Sequence, residues 1–192
     1  MRSVADIFLI SSIFIVSIGF GQRSRIFTSM DEALTVHPDS VYHLDLSKQK
    51  LTVIPSEIKQ FKNLQHLDLS KNKITALESD FIFSDLRILD LSKNKLEHFP
   101  EVICQNTGIR NLFMGKNDMK EIPECIGNLQ NLIVLDIWYN PIDDLPESMT
   151  KLRNLRSLDL SGLNFSKEFQ KKWTELLPWV KIEFESACDC NN

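Results

Sequence analysis

The phrase Leu-Gln-His-Leu-Asp-Leu-Ser-Lys-Asn-Lys-Ile, from Leu64 to Ile74, returns 22 residues later as Leu-Arg-Ile-Leu-Asp-Leu-Ser-Lys-Asn-Lys-Leu, from Leu86 to Leu96. Looser copies place coil starts at Val41, Leu64, Leu86, Ile109, Leu132, Leu155 and Leu177, in steps of 23, 22, 23, 23, 23 and 22. A unit this short cannot bury its own apolar face and must stack on its neighbours, so a fixed period in this range predicts a solenoid.

Within each coil the fourth and sixth residues are apolar and alternate with mostly polar ones: Leu44/Leu46, Leu67/Leu69, Leu89/Leu91, Leu112/Met114, Leu135/Ile137 and Leu158/Leu160. Period two over so short a run predicts a strand with one buried face. One strand per coil, all running the same way, gives a parallel sheet. A second apolar row (Leu51, Ile74, Leu96, Met119, Ile142) and a third on the return leg (Ile58, Phe81, Ile103, Ile126, Met149) complete one continuous core. Asn72, Asn94, Asn117 and Asn140 recur at the ninth position, with Gln49 and Leu163 in their place in the first and sixth coils. An inward Asn must spend its amide on backbone groups, because burial is otherwise costly. Pro55, Pro100, Pro123 and Pro146 mark the turn into the return leg; the second coil has Glu78 there and is one residue short.

With these positions in view, residues 41–186 resemble the leucine-rich-repeat family, in the form L-x-x-L-x-L-x-x-N-x-L-x-x-L-P-x-x-I-x-x-L-x-N. The resemblance implies an α/β solenoid shaped as a horseshoe, with a parallel concave sheet, a short helical or irregular convex side, and caps at both ends. It also implies that the asparagines form a ladder along the stack. The repeats are assigned to 41–164. Residues 22–40 are expected to form an N-terminal helical cap, begun by a capping box over Ser29-Met30-Asp31-Glu32, with Met30, Leu34 and Val36 covering the first coil. Residues 165–186 are expected to form a C-terminal cap. Its helix is capped by Ser166, with Phe169, Trp173, Leu176 and Leu177 on one side, and its last strand follows the frame Leu177-x-x-Val180-x-Ile182. Trp173, Trp179 and Phe184 suit a lid better than a ligand cage.

The N-terminus has the form of a secretory signal peptide over residues 1–21. Met1 and Arg2 supply positive charge, Ile7 to Ile18 is apolar apart from Ser, and Gly19-Phe20-Gly21 offers a small-x-small cleavage site. The apolar run of 12 residues falls short of the roughly 20 that span a bilayer, which disfavours an uncleaved anchor. The expected product is therefore exported, periplasmic or extracellular, with no membrane span after signal cleavage. The signal has a bacterial look. Export would permit disulfides, and Cys104 and Cys125 fall on return legs of adjacent coils, where they could bridge or pack as thiols. Cys188 and Cys190 form Cys-x-Cys in a tail over 187–192.

At a formal net charge of −4 the chain lacks the basic balance usual in nucleic-acid binders, so no nucleic-acid partner is expected. No Gly-rich phosphate loop, Gly-x-Ser-x-Gly, His-Glu-x-x-His or Cys-x-x-Cys is present. No catalytic residue and no cofactor is therefore assigned.

Function is sought on the outward positions of the sheet: the third, fifth, seventh and eighth of each coil. The fifth carries Asp45, Asp68, Asp90, Phe113, Asp136 and Asp159; the eighth carries Lys48, Lys71, Lys93, Lys116, Tyr139 and Gly162. These charges read as a mutually compensating solvated surface. His43 and His66, beside Asp45 and Asp68, are weak candidates for a metal site. Coils three to five break the polar pattern with Ile88, Phe113, Val134, Trp138 and Tyr139. These five either pack on one another or form a partner-binding patch, and their clustering favours the patch. The expected activity is that of a monomeric, non-catalytic scaffold gripping a protein or peptide on its concave face. The alternatives are an envelope-associated spacer without a fixed ligand and, third, a metal-dependent site on the Asp/His face.

Overall fold

The computed structural model describes residues 24–184. The signal segment, Cys188 and Cys190 lie outside these residues. Eight strands form one parallel sheet in strict sequence order: β1 (Ile26–Phe27), β2 (His43–Asp45), β3 (His66–Asp68), β4 (Ile88–Asp90), β5 (Asn111–Phe113), β6 (Val134–Asp136), β7 (Ser157–Leu160) and β8 (Lys181–Phe184). The register is in phase from β2 to β7: Leu44, Leu67, Leu89, Leu112, Leu135 and Leu158 pair in succession, and all are buried. The second and third apolar rows are buried too, save Leu51, which packs on the core from the first coil.

Four prolines set the convex side. Pro55, Pro100, Pro123 and Pro146 each stand immediately before a 3-10 turn, at Ser56–Gln60, Glu101–Gln105, Glu124–Asn128 and Glu147–Lys151. Proline fixes φ and has no N–H to leave unpaired, so it suits the start of such a turn. The short second coil forms no 3-10 turn. Glu78 and its neighbour Asp80 instead hold Lys59 of the coil before, at 2.6 and 2.8 Å. Cys104 and Cys125 form a disulfide between the return legs of coils three and four.

The asparagine ladder is formed as the resemblance implied. Asn94 Nδ2 donates to the carbonyls of Leu69 and Leu91, and its Oδ1 accepts from the Ile74 amide. Asn72, Asn117 and Asn140 repeat the scheme, each tying its own coil to the preceding one. Gln49 extends the ladder by one rung, reaching the Thr28 carbonyl of the cap at 2.9 Å. A further buried amide, unforeseen from the sequence, sits on the convex side. Asn106 donates to Phe81 and Val102 carbonyls and accepts from Phe83 N–H.

The caps differ from expectation in four places. The N-terminal cap is not only helical, because β1 pairs with β2 and buries Phe27 ahead of α1 (Met30–Ala33). Leu34 is 45% exposed, so Phe27 and Ala33 cover the first coil in its place, with Met30 and Val36 partly buried beside them. The Ser29 hydroxyl accepts from Glu32 N–H as the capping box requires, while the Glu32 carboxylate takes the Thr28 N–H and Arg25. At the other end α2 (Lys167–Leu176) is capped by Ser166, and Trp173 is fully buried, but Leu176 is 41% exposed. The last strand is two residues out of the expected frame. Leu158 pairs with Ile182, not Val180, so the final step is 24 residues. Leu177 closes α2 by donating to Trp173 O and is buried there, and the strand can begin only after Pro178-Trp179. Trp179 acts as part of the lid: its ring carries the Arg153 guanidinium at 4.4 Å.

Candidate functional site

The concave face is built from one device repeated at each strand end. The Asp at position five turns its Oδ1 back to accept the N–H two residues on: Asp45 from Ser47, Asp68 from Ser70 and Asp90 from Ser92, each at 2.8 Å, and Asp159 from Ser161 at 2.9 Å. This is the short-range turn that Asp side chains favour. It serves the residue at position eight, which is left-handed in every coil from the first to the sixth: Lys48, Lys71, Lys93, Lys116, Tyr139 and Gly162 have φ of 51–76°. The Asp row is thus partly structural. The seventh position is not uniformly outward either, since Ser70 is 5% exposed.

Coil four breaks the device, with Phe113 in place of Asp and Gly115 in place of Ser. The structure explains the glycine. A Cβ on Gly115 would lie 2.0 Å from the Trp138 ring, so the indole of coil five rests on the bare backbone of coil four. Tyr139 leans the other way, and a Cβ on Gly162 would lie 2.2 Å from its ring. Trp138 and Tyr139 meet edge to face at 5.7 Å, and Lys93 lies 5.7 Å above the indole. These aromatic pairings were not readable from position numbers, although the two glycines that make room for them were the available clue.

The five expected patch residues share the sheet face but do not form one block. Ile88 and Val134 are separated by Asn111, and Phe113 stands between Asp90 and Asp136. Ile88, Phe113, Val134 and Trp138 are partly buried, and Tyr139 is 59% exposed.

The patch is bordered by carboxylates. Asp136 has its pKa raised to about 6, first by burial, then by Asp159, against the favourable Trp138 N–H; Asp90 and Glu183 raise it further. Burial likewise raises Asp90, with Ser92 opposing and Asp68 adding repulsion. His43 and His66 meet edge to face at 5.8 Å above a small hollow of about 70 Å³ that Asp45 and Asp68 also line. Burial, then His66, lowers the His43 pKa. Among the described residues no three His, Cys, Asp or Glu side chains gather as a metal site would need.

Comparison with known proteins agrees with the fold. The family model described as Leucine-rich repeat region matches residues 81–176, and the model described as Leucine Rich Repeat matches residues 63–84. The chain belongs to the leucine-rich-repeat family. Among solved structures it is similar to an LRR protein of Leptospira interrogans, with TM-score 0.64 and 25% identity over 76% of this chain and 43% of that one. It is also similar in fold to the functional domain of InlJ from Listeria monocytogenes, described as including a cysteine ladder, with TM-score 0.60 and 22% identity over 75% of this chain and 30% of that one. The chain thus spans less than half the length of either neighbour. Both neighbours are bacterial, which agrees with the bacterial look of the N-terminus. No curated protein matches the sequence.

Proposed function

We propose that this leucine-rich-repeat protein is an exported, monomeric, non-catalytic scaffold that holds a protein or peptide on the concave face of coils three to five. The contact residues are Ile88, Phe113, Val134, Trp138 and Tyr139. One observation carries the reading. Trp138 and Tyr139 stand where the other coils have Ser or Gly and, in coils one to four, Lys, and glycines at 115 and 162 accommodate their rings. Trp and Tyr are the side chains most often found as interface anchors, and a ring already held in place loses less freedom on binding. The polar groups of the face argue for binding over catalysis, since each Asp of the fifth row accepts a backbone N–H. Export is supported by the Cys104–Cys125 bridge, because disulfides persist in oxidising compartments.

The test is a paired capture from envelope and culture extracts, using the full chain and its Phe113→Ala/Trp138→Ala variant. The expected result is a protein held by the first and lost by the second. Loss of two anchors should weaken binding by at least about 2 kcal/mol. Identical captures would move the assignment to a spacer without a fixed ligand.

A further inference from the structure

A net charge of −4 conceals a basic rim. In segments 106–110, 129–133 and 152–156, which lead into β5, β6 and β7, there are three Arg and no Asp or Glu. Arg110 and Arg156 flank a shallow depression of about 290 Å³ that Asn131, Ile133 and Asn154 complete. This depression lies on the rim beside the concave face, apart from the aromatic patch.

One of its two guanidinium groups is set in advance. Arg156 Nη1 donates to the Arg153 and Leu155 carbonyls at 2.8 and 2.9 Å, which fixes the guanidinium while leaving other N–H groups free to bind. Among the described residues neither Arg110 nor Arg156 pairs with a carboxylate. Exposed arginines on an acidic protein ordinarily find such partners nearby; here the three neighbouring rim segments hold none. The asparagines are oriented too. Asn131 Nδ2 donates to Thr107 O and Asn154 Nδ2 to Gln130 O, so each amide oxygen remains an acceptor. The floor, Ile133, is apolar and 37% exposed.

We propose that this rim depression is a second binding site, for an acidic peptide segment whose carboxylates pair with Arg110 and Arg156. The chemistry selects a peptide among anions. Guanidinium groups take carboxylates through paired N–H bonds, amide oxygens take backbone N–H groups, and an apolar floor takes the methylenes of a Glu side chain. Spacing adds to this. Two strand intervals separate the arginines by about 10 Å. A polyproline II segment advances about 9 Å in three residues and returns to the same face, so acidic residues at every third position match the pair.

The experiment is fluorescence anisotropy of a labelled Glu-Pro-Ala repeat peptide with the full chain, alongside Arg110→Gln, Arg156→Gln and Phe113→Ala/Trp138→Ala variants. The expected result is binding that falls about tenfold for each arginine removed, as loss of one charge-assisted contact implies. Binding should also weaken from 50 to 300 mM salt through screening, and be unchanged in the concave-face variant. That last control separates this site from the aromatic patch, because either can fail alone. Both arginines are exposed, so the variants should keep the parent melting temperature. Absence of peptide binding, or binding indifferent to both arginines, overturns the proposal. So does arginine-dependent binding of dextran sulfate under conditions where the peptide does not bind, which would assign the site to a sulfated polymer.

Discussion

On the concave side every strand from β2 to β7 is followed by a left-handed residue at the same coil position, and in all but one coil an Asp steadies it by accepting a nearby N–H. On the convex side the return legs vary freely: four begin with Pro and a 3-10 turn, one drops a residue and forms none, and one pair is joined by sulfur. The concave side tolerates no change of length because each strand must stay in register with two neighbours. The convex side carries no ladder of strand bonds, so it can absorb an insertion or a deletion. A departure from pattern therefore means different things on the two sides. On the convex side it is a local packing solution. On the concave side, where repetition is enforced, the Phe113, Gly115, Trp138 and Tyr139 departures are the ones on which the proposed binding role rests.

The sharpest way to break this contrast is to attack the element that joins the two sides. Asn94→Ala leaves the Ile74 amide and the Leu69 and Leu91 carbonyls without their side-chain partner. With unpaired buried groups costing ~1–3 kcal/mol each, the expected loss is about 3 kcal/mol or more in urea unfolding. A loss below about 1 kcal/mol would mean that water takes the place of the amide. The next largest effect lies on the convex side. The Cys104→Ser/Cys125→Ser double variant opens a loop of separation 21, which should cost about 3 kcal/mol. Aromatic fluorescence from Trp138 should be unaltered, since the bridge and the indole lie on opposite sides. A changed spectrum would deny their independence.

The smallest effect belongs to the carboxylate border and carries a defined pH sign. Asp136 has a folded pKa raised to about 6 from an ordinary value of 3.8. Its contribution to stability is therefore full below pH 3.8 and is lost as the pH rises through about 6. Asp136→Asn, which keeps an oxygen for the Trp138 N–H, should stabilise the fold by about 1 kcal/mol at pH 7, after discounting for solvent screening. Near pH 3.5 it should change nothing. Equal melting shifts at both pH values would show that the effect is not ionisation.

Much of this fold is legible in the residues because period and burial are the same fact here. The Leu series, the prolines and the inward asparagines each follow from position alone. The misses occur where one element overrides the count. Phe27 lies in a two-residue strand with a single inward side chain, too short for alternation to be seen. Leu177 matches the repeat, but it is held by α2, which delays β8 by two residues. Asn106 looks like an ordinary loop amide until Phe81 and Val102 carbonyls are found around it. At the candidate site the shared sheet face of Ile88, Phe113, Val134, Trp138 and Tyr139 was readable, whereas the direction in which Trp138 and Tyr139 lean was not. That direction depends on side-chain torsions, which neighbouring coils decide.

The sulfur bridge also has a mechanical consequence. It spans residues 104 and 125, and the chain between them includes β5 with Phe113. Tension applied to the two ends of the protein crosses directly from one sulfur to the other. The coils on either side can be drawn out in turn, but the loop that holds Phe113 carries no load. In an oxidising setting under shear, residues 105–124, which include most of the fourth coil, are the part of the stack least exposed to being pulled straight.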